Sequence, residues 1–181
     1  MYELIEIFLN VDEHLAEFVA QHGALVYGLL FAIIFAETGL VVTPFLPGDS
    51  LLFAAGAIAG TGMLDVRLLI VLLFVASVLG DAVNYSVGRY IGPRVFRPEG
   101  RKGRLERLLN PKHLERTHEF FERHGGKAVV MARFVPIVRT FIPFVAGAGA
   151  MTYSTFAFYN VFGGALWVVV CVGAGYLFGA I

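Results

Sequence analysis

Charge is scarce in this chain. Of 181 residues only 15% are Asp, Glu, Lys or Arg, against roughly 25% in an ordinary soluble domain. Fourteen Lys+Arg balance fourteen Asp+Glu, so no net field draws the whole protein to nucleic acid. The single cysteine, Cys171, lies in an apolar run, which excludes a disulfide framework and a cysteine-based zinc site. No histidine falls within an apolar stretch, so Ser50 in Pro47-Gly48-Asp49-Ser50 has no base to make it a nucleophile. The same four residues lack the Gly-Lys-Ser/Thr ending of a P-loop. The segment Tyr2–Gly23 has five acidic and no basic residues, unlike a secretory signal. What is abundant is apolar: 57% hydrophobic, 17 Phe and 21 Gly, with a mean hydropathy of +0.74. The composition predicts an all-α integral membrane protein of one domain, residues 1–181.

Leu4, Phe8, Val11, Leu15 and Phe18 recur at helical spacing opposite Glu6, Asp12, Glu13 and Glu17, which predicts an interfacial helix over 2–21. Thirteen uncharged residues, Ala24 to Ala36, precede Glu37, and eleven, Ser50 to Gly60, follow Asp49. Each arm reaches only about half to two-thirds of a hydrocarbon core roughly 30 Å thick. That length predicts a re-entrant hairpin over 24–60, turning at Pro44, Pro47 and Gly48, with a helix start at Ser50. Residues 66–92 are long enough to span. Ten of the fourteen basic residues lie between Arg94 and Lys127, a basic loop placed in the cytoplasm by the positive-inside rule. Within it Asn110-Pro111 and Gly125-Gly126 bound a helix over 110–124. A second interrupted stretch, 128–152, contains Arg133, Pro136, Arg139 and Pro143, and reads as hairpin two with turns at the two prolines. Residues 155–181 span again.

Ala55-Gly56-Ala57 matches Ala146-Gly147-Ala148, and Tyr85-x-x-Gly88 matches Tyr176-x-x-Gly179, both at an offset of 91. Each half then reads as a broken hairpin followed by a spanning helix, the pattern that marks a binding site in transporters. Because one spanning helix separates the hairpins, they enter from opposite faces, the first and the N-terminal helix from outside.

Glu37 and Asp49 on hairpin one face Arg133 and Arg139 on hairpin two. A charge at the centre of a membrane helix costs about 2.5–3.5 kcal/mol on insertion scales, so each needs a partner. An ion-pair lock is the structural explanation. The functional one is that two arginine forks make a receptor for a lipid phosphate, Pro136 allowing them to converge, while Glu37 and Asp49 exchange protons. Asp81, Asn84 and Tyr85 either line the cavity or cap local polar groups. Arg89 reads as a snorkelling residue. His113, His118 and His124 do not share a helix face, so no metal and no cofactor is expected. Trp167 reads as membrane packing. Gly56-x-x-x-Gly60 and Gly175-x-x-x-Gly179 permit close helix contact within one chain or in a homo-oligomer.

The motifs Phe35-Ala36-Glu37, Phe45-Leu46-Pro47-Gly48-Asp49, Gly80-Asp81, Tyr85-x-x-Gly88-Arg89-x-x-Gly92 and Arg133-Phe134-x-Pro136-x-x-Arg139 with Ala146-Gly147 stand in order. In them the chain resembles the DedA family of membrane proteins, which share the VTT or SNARE-associated domain with eukaryotic lipid scramblases. The resemblance implies a multi-pass bacterial inner-membrane protein with two re-entrant hairpins, linked to the proton-motive force and to envelope integrity. It implies a transporter rather than an enzyme, moving undecaprenyl phosphate or phosphatidylethanolamine. The family's essential acids fall on Glu37 and Asp49 and its essential arginines on Arg133 and Arg139. Two other readings use the same charges: a proton-coupled antiporter of small ions or drug cations, and a non-transporting scaffold for envelope assembly.

Overall fold

The computed structural model describes residues 23–40, 48–95, 119, 121–149 and 151–181. The expected interfacial helix over 2–21, the turn residues Pro44 and Pro47, and most of the helix over 110–124 lie outside them. Six helices are delimited: α1 Leu25–Gly39, α2 Gly48–Gly60, α3 Val66–Val95, α4 Lys127–Ala132, α5 Pro136–Ala148 and α6 Tyr153–Gly179. No strand occurs among the described residues.

Two stretches, Val66–Ile91 and Tyr153–Gly179, are 26 and 27 residues long and apolar enough to cross a membrane, about 40 Å each at the helical rise. Only a third of each is buried, and the exposed remainder is greasy. Leu68, Val71, Val75, Leu79 and Val83 are open on α3, as are Phe158, Val161, Phe162, Leu166, Val169 and Val170 on α6. A helix in a soluble core hides such residues; apolar stripes turned outward fit a lipid solvent. At 15, 13 and 13 residues, α1, α2 and α5 are shorter than the roughly 20 residues of a span.

The helices form two compact units. One contains α1 up to Ile34, α2, α3 up to Ala76 and α6 from Leu166. Its core includes Leu30, Ile34, Leu52, Leu73, Trp167 and Val172. Here α2 lies against α6 at backbone distance: a β-carbon added at Gly56 would collide with the Val172 carbonyl, and one at Gly175 with that of Phe53. The start of α3 is fixed by Asp65, whose carboxylate accepts the N–H groups of Arg67 and Leu68 at 2.8 and 3.0 Å. These are the N2 and N3 groups that a helix leaves unsatisfied, so Asp65 is an N-cap.

The second unit contains α1 from Phe35, α3 from Ser77, α4, α5 and α6 up to Ala165. Tyr85 is its centre, stacked on Phe156 with ring centroids 4.4 Å apart and donating its hydroxyl to the Met151 carbonyl. Here α5 lies on α3 in the same glycine-mediated way, Gly88 against Phe144 and Gly147 against Tyr85. The Ala-Gly-Ala match keeps its offset in packing, with Gly56 and Gly147 each on the long helix of the other half of the sequence; the Tyr-x-x-Gly match does not, since the packing counterpart of Gly88 is Gly175, one helical turn before Gly179.

The boundaries move in three places. Helix α2 begins at Gly48, not Ser50, so Gly48 opens a helix instead of turning a hairpin. The break in the second interrupted stretch falls at residues 133–135, and Pro136 is the first residue of α5. Proline suits that position because its missing N–H would be unpaired there anyway. Pro143, expected at a turn, lies inside α5. Where only one ladder hydrogen bond is lost and neighbouring helices hold the chain, a membrane helix tolerates it. The expected stop at Gly125-Gly126 is a glycine stop, with Gly125 at φ +54°.

Candidate functional site

The second unit places four ionisable side chains in its interior: Glu37, Asp81, Arg133 and Arg139 are 2, 4, 2 and 7% exposed. They form two ion pairs, Arg133 with Asp81 and Arg139 with Glu37. Arg139 also acts on Asp81 by Coulomb attraction and on Arg133 by repulsion, so the four make one electrostatic cluster of zero formal charge.

The local backbone explains how they meet. After α4 the chain tightens, with N–H groups of Arg133, Phe134 and Val135 reaching the carbonyls three residues back. Such 3₁₀ turning followed by extended Val135 ends one helix and lets Pro136 restart the next. Arg133 therefore leaves the break and Arg139 leaves the second turn of α5. Room for the Arg133 guanidinium comes from Gly163 and Gly164 of α6, where a β-carbon would stand 3.2 Å from its Cδ and 3.5 Å from its Nη2. On the acid side, Gly80 admits the end of α1, since a β-carbon there would collide with Thr38 Oγ1. The Gly80-Asp81 pair thus brings Glu37 and Asp81 to neighbouring turns.

Two asparagines complete the shell. Asn160 Oδ1 accepts from Arg133 Nη2 at 2.5 Å while its Nδ2 donates to the Val78 carbonyl at 3.1 Å. Asn84 donates through Nδ2 to the carbonyls of Thr38 and Thr140, at 3.1 and 2.9 Å. Tyr85, below them on α3, belongs to the aromatic core; Arg89 donates to its hydroxyl at 3.2 Å.

Sequence reasoning set Glu37 and Asp49 opposite Arg133 and Arg139, and three of those four residues are in the cluster. Asp49 lies in the other unit, exposed at the start of α2, where its Oδ1 accepts the Trp167 indole N–H at 2.7 Å. It lines a groove of about 530 Å³ with Ser50, Phe53, Val170, Cys171 and Ala174. The carboxylate paired with Arg133 is Asp81, expected only as a lining residue. Helical geometry is the reason: on α3, Asp81 shares the inward face with Ser77, Asn84, Tyr85 and Gly88, all buried. Asn160 and Trp167 carry polar contacts not expected from the sequence. Asn160 did have a signal, as the one amide side chain in the uncharged run from Phe156 to Ile181. No three metal-ligating side chains converge among the described residues.

Long apolar helices with outward greasy faces, carrying an interior cluster of charge, fit a helical membrane protein. The VTT domain family matches residues 46–177. The chain is 54% identical to Protein DedA of Escherichia coli K12 over its whole length and 81% of that protein. It is 37% identical to Inner membrane protein YqjA of the same strain, over 86% of this chain and 68% of that one. To the membrane protein ML0287 of Mycobacterium leprae it is 41% identical, over 81% of this chain and 64% of the other. The chain belongs to the DedA family of VTT-domain membrane proteins. No solved structure matches it.

Proposed function

We propose that the protein is a transporter of a phosphate-bearing lipid, a flippase or scramblase of the inner membrane linked to proton movement. The observation that carries this reading is the pair of buried arginines, each held by a carboxylate, Arg133 at the break between α4 and α5 and Arg139 just after it in α5. Buried ion pairs contribute little over apolar packing of the same volume, which argues against four charges kept for stability alone. An arginine fork accepts a phosphate as readily as a carboxylate. Protonating Glu37 or Asp81 removes the competing anion and frees its arginine for a lipid phosphate; deprotonation ejects the lipid. Binding and proton uptake are thereby linked through competition for one guanidinium. Asp49, with its exposed carboxylate, is a further proton-binding group in this reading. The short helices α1, α2, α4 and α5 act as arms of re-entrant hairpins, which leaves the break as non-helical backbone at membrane depth, tolerated beside a polar site. The lipids that the family resemblance suggests, undecaprenyl phosphate and phosphatidylethanolamine, both carry the required group.

The test is flipping of labelled undecaprenyl phosphate and labelled phosphatidylethanolamine in vesicles containing the purified protein, with and without a pH gradient. Expected is movement of at least one lipid, faster with the gradient and lost in Arg133→Ala and Arg139→Ala. Wild-type rates in both variants would overturn the reading. A scaffold, in which the pairs only lock helices, predicts recovery on charge reversal: Glu37→Arg with Arg139→Glu would then restore function, whereas a phosphate receptor would not recover.

A further inference from the structure

Asn84 has no exposed surface. Its amide orientation is fixed, because the group facing the Thr38 and Thr140 carbonyls must be the donor, Nδ2. Those carbonyls belong to the residues that follow Glu37 and Arg139, so Asn84 straddles the backbone on both sides of that ion pair. Its Oδ1 is buried and receives no hydrogen bond among the described residues. A buried acceptor left without a donor is costly. Next to a site that already offers donors for phosphate oxygens, such an acceptor is suited to a ligand hydrogen.

We propose that Asn84 Oδ1 accepts a hydroxyl of the substrate's phosphate, and that the protein therefore selects phosphomonoester lipids, carried as the monoanion, over phosphodiester lipids. This rests on the lipid-phosphate reading above and sharpens it. A phosphomonoester monoanion has two charged oxygens for the Arg139 fork and one P–OH to donate. A phosphodiester carries the same single charge and the same two oxygens, but its third oxygen is an ester that donates nothing. Charge and fork geometry cannot tell these apart; an acceptor can. A site that hydrogen-bonds a substrate hydroxyl rejects the analogue lacking it far more strongly than an apolar pocket rejects a missing methylene.

The discriminating pair of probes is phosphatidic acid and phosphatidylmethanol with identical labelled tails, assayed in vesicles containing the full chain. The assay runs below about pH 6, where a phosphomonoester keeps its second proton, and rates are taken above those of protein-free vesicles. Wild-type protein should move phosphatidic acid about tenfold faster or more. Asn84→Ala and Asn84→Leu should bring the ratio of the two rates close to one, whatever happens to the rates themselves. Arg139→Ala should abolish both. Equal wild-type rates would overturn the proposal without any variant, as would an Asn84 variant that slows both lipids in proportion, the mark of a purely structural clamp. Failure of the underlying reading looks different: both lipids then stand at the protein-free rate in wild type, or Arg139→Ala leaves them unchanged.

Discussion

Asp81 and Arg133 show how a pair is more fragile than either side chain. Removing one partner of a buried ion pair leaves the other charged and unsolvated, typically at a cost of about 3–5 kcal/mol. Asp81→Asn or Arg133→Gln should each lower thermal stability in detergent sharply. The double variant Asp81→Asn, Arg133→Gln should recover much of the loss, because no lone charge remains. A cycle built from these variants gives the coupling directly; additive effects would show that the pair is not a unit. At this scale the sequence was informative about which charges lie in apolar surroundings and silent about which meet. Glu37, Arg133 and Arg139 stand out as charges in apolar runs, but partner choice depends on where α3 turns its inward face, which no spacing within residues 24–60 or 128–152 contains. Asp49 fails to join the cluster for the same reason: it opens a different helix, in the other unit.

Glycine placement belongs to the element. Gly88 and Gly147 hold α3 and α5 at backbone contact, and Gly175 does so for α2 and α6. Gly88→Ala, Gly147→Ala and Gly175→Ala must push helices apart, and overpacking of this kind costs about 1–3 kcal/mol or more. Gly28 and Gly173, also helical, have nothing within 4 Å of a β-carbon. Alanine there should be neutral or stabilise by about 0.4–1 kcal/mol, since it restricts the unfolded chain at no steric cost. Melting temperatures of the five variants in one detergent check both halves of the argument. A second element-level prediction concerns the N-cap of α3. The N–H groups of Leu68 and Arg67 hold the Asp65 carboxyl below the usual carboxylate range. A folded-state pKa below the unfolded one gives stability that is complete at neutral pH and is lost as pH falls through the depressed value. Asp65→Asn keeps a capping oxygen that does not titrate. Wild type minus Asp65→Asn should therefore shrink in melting temperature as pH drops from 7 to 3. The spans and the Gly125 stop were legible because length, composition and glycine chemistry are local. Pro143 misled for the complementary reason, since a proline marks a weak point in a helix but packing decides whether the helix ends.

At the scale of the whole molecule the repeat imposes an assembly requirement. The arm α2 finds its glycine contacts on α6, and α5 finds its own on α3, so each half of the sequence supplies a surface that only the other half covers. The ion pairs obey the same rule: Glu37 and Asp81 come from the first half, Arg133 and Arg139 from the second. A fragment ending within the basic segment after α3 would carry two acids in an apolar interior with no cation, and its complement two guanidiniums with no anion. Both fragments should be inserted yet unstable when expressed alone, because unpaired charge at membrane depth is expensive. Co-expressed, with the break in 96–118, they should co-purify and recover the activity of the intact chain. Neutralising Glu37 and Asp81 together in the first fragment should weaken that association, leaving two buried guanidiniums without counter-ions. If the fragments are stable apart, or if co-purification ignores the acids, the cluster is not what joins the two halves of the sequence.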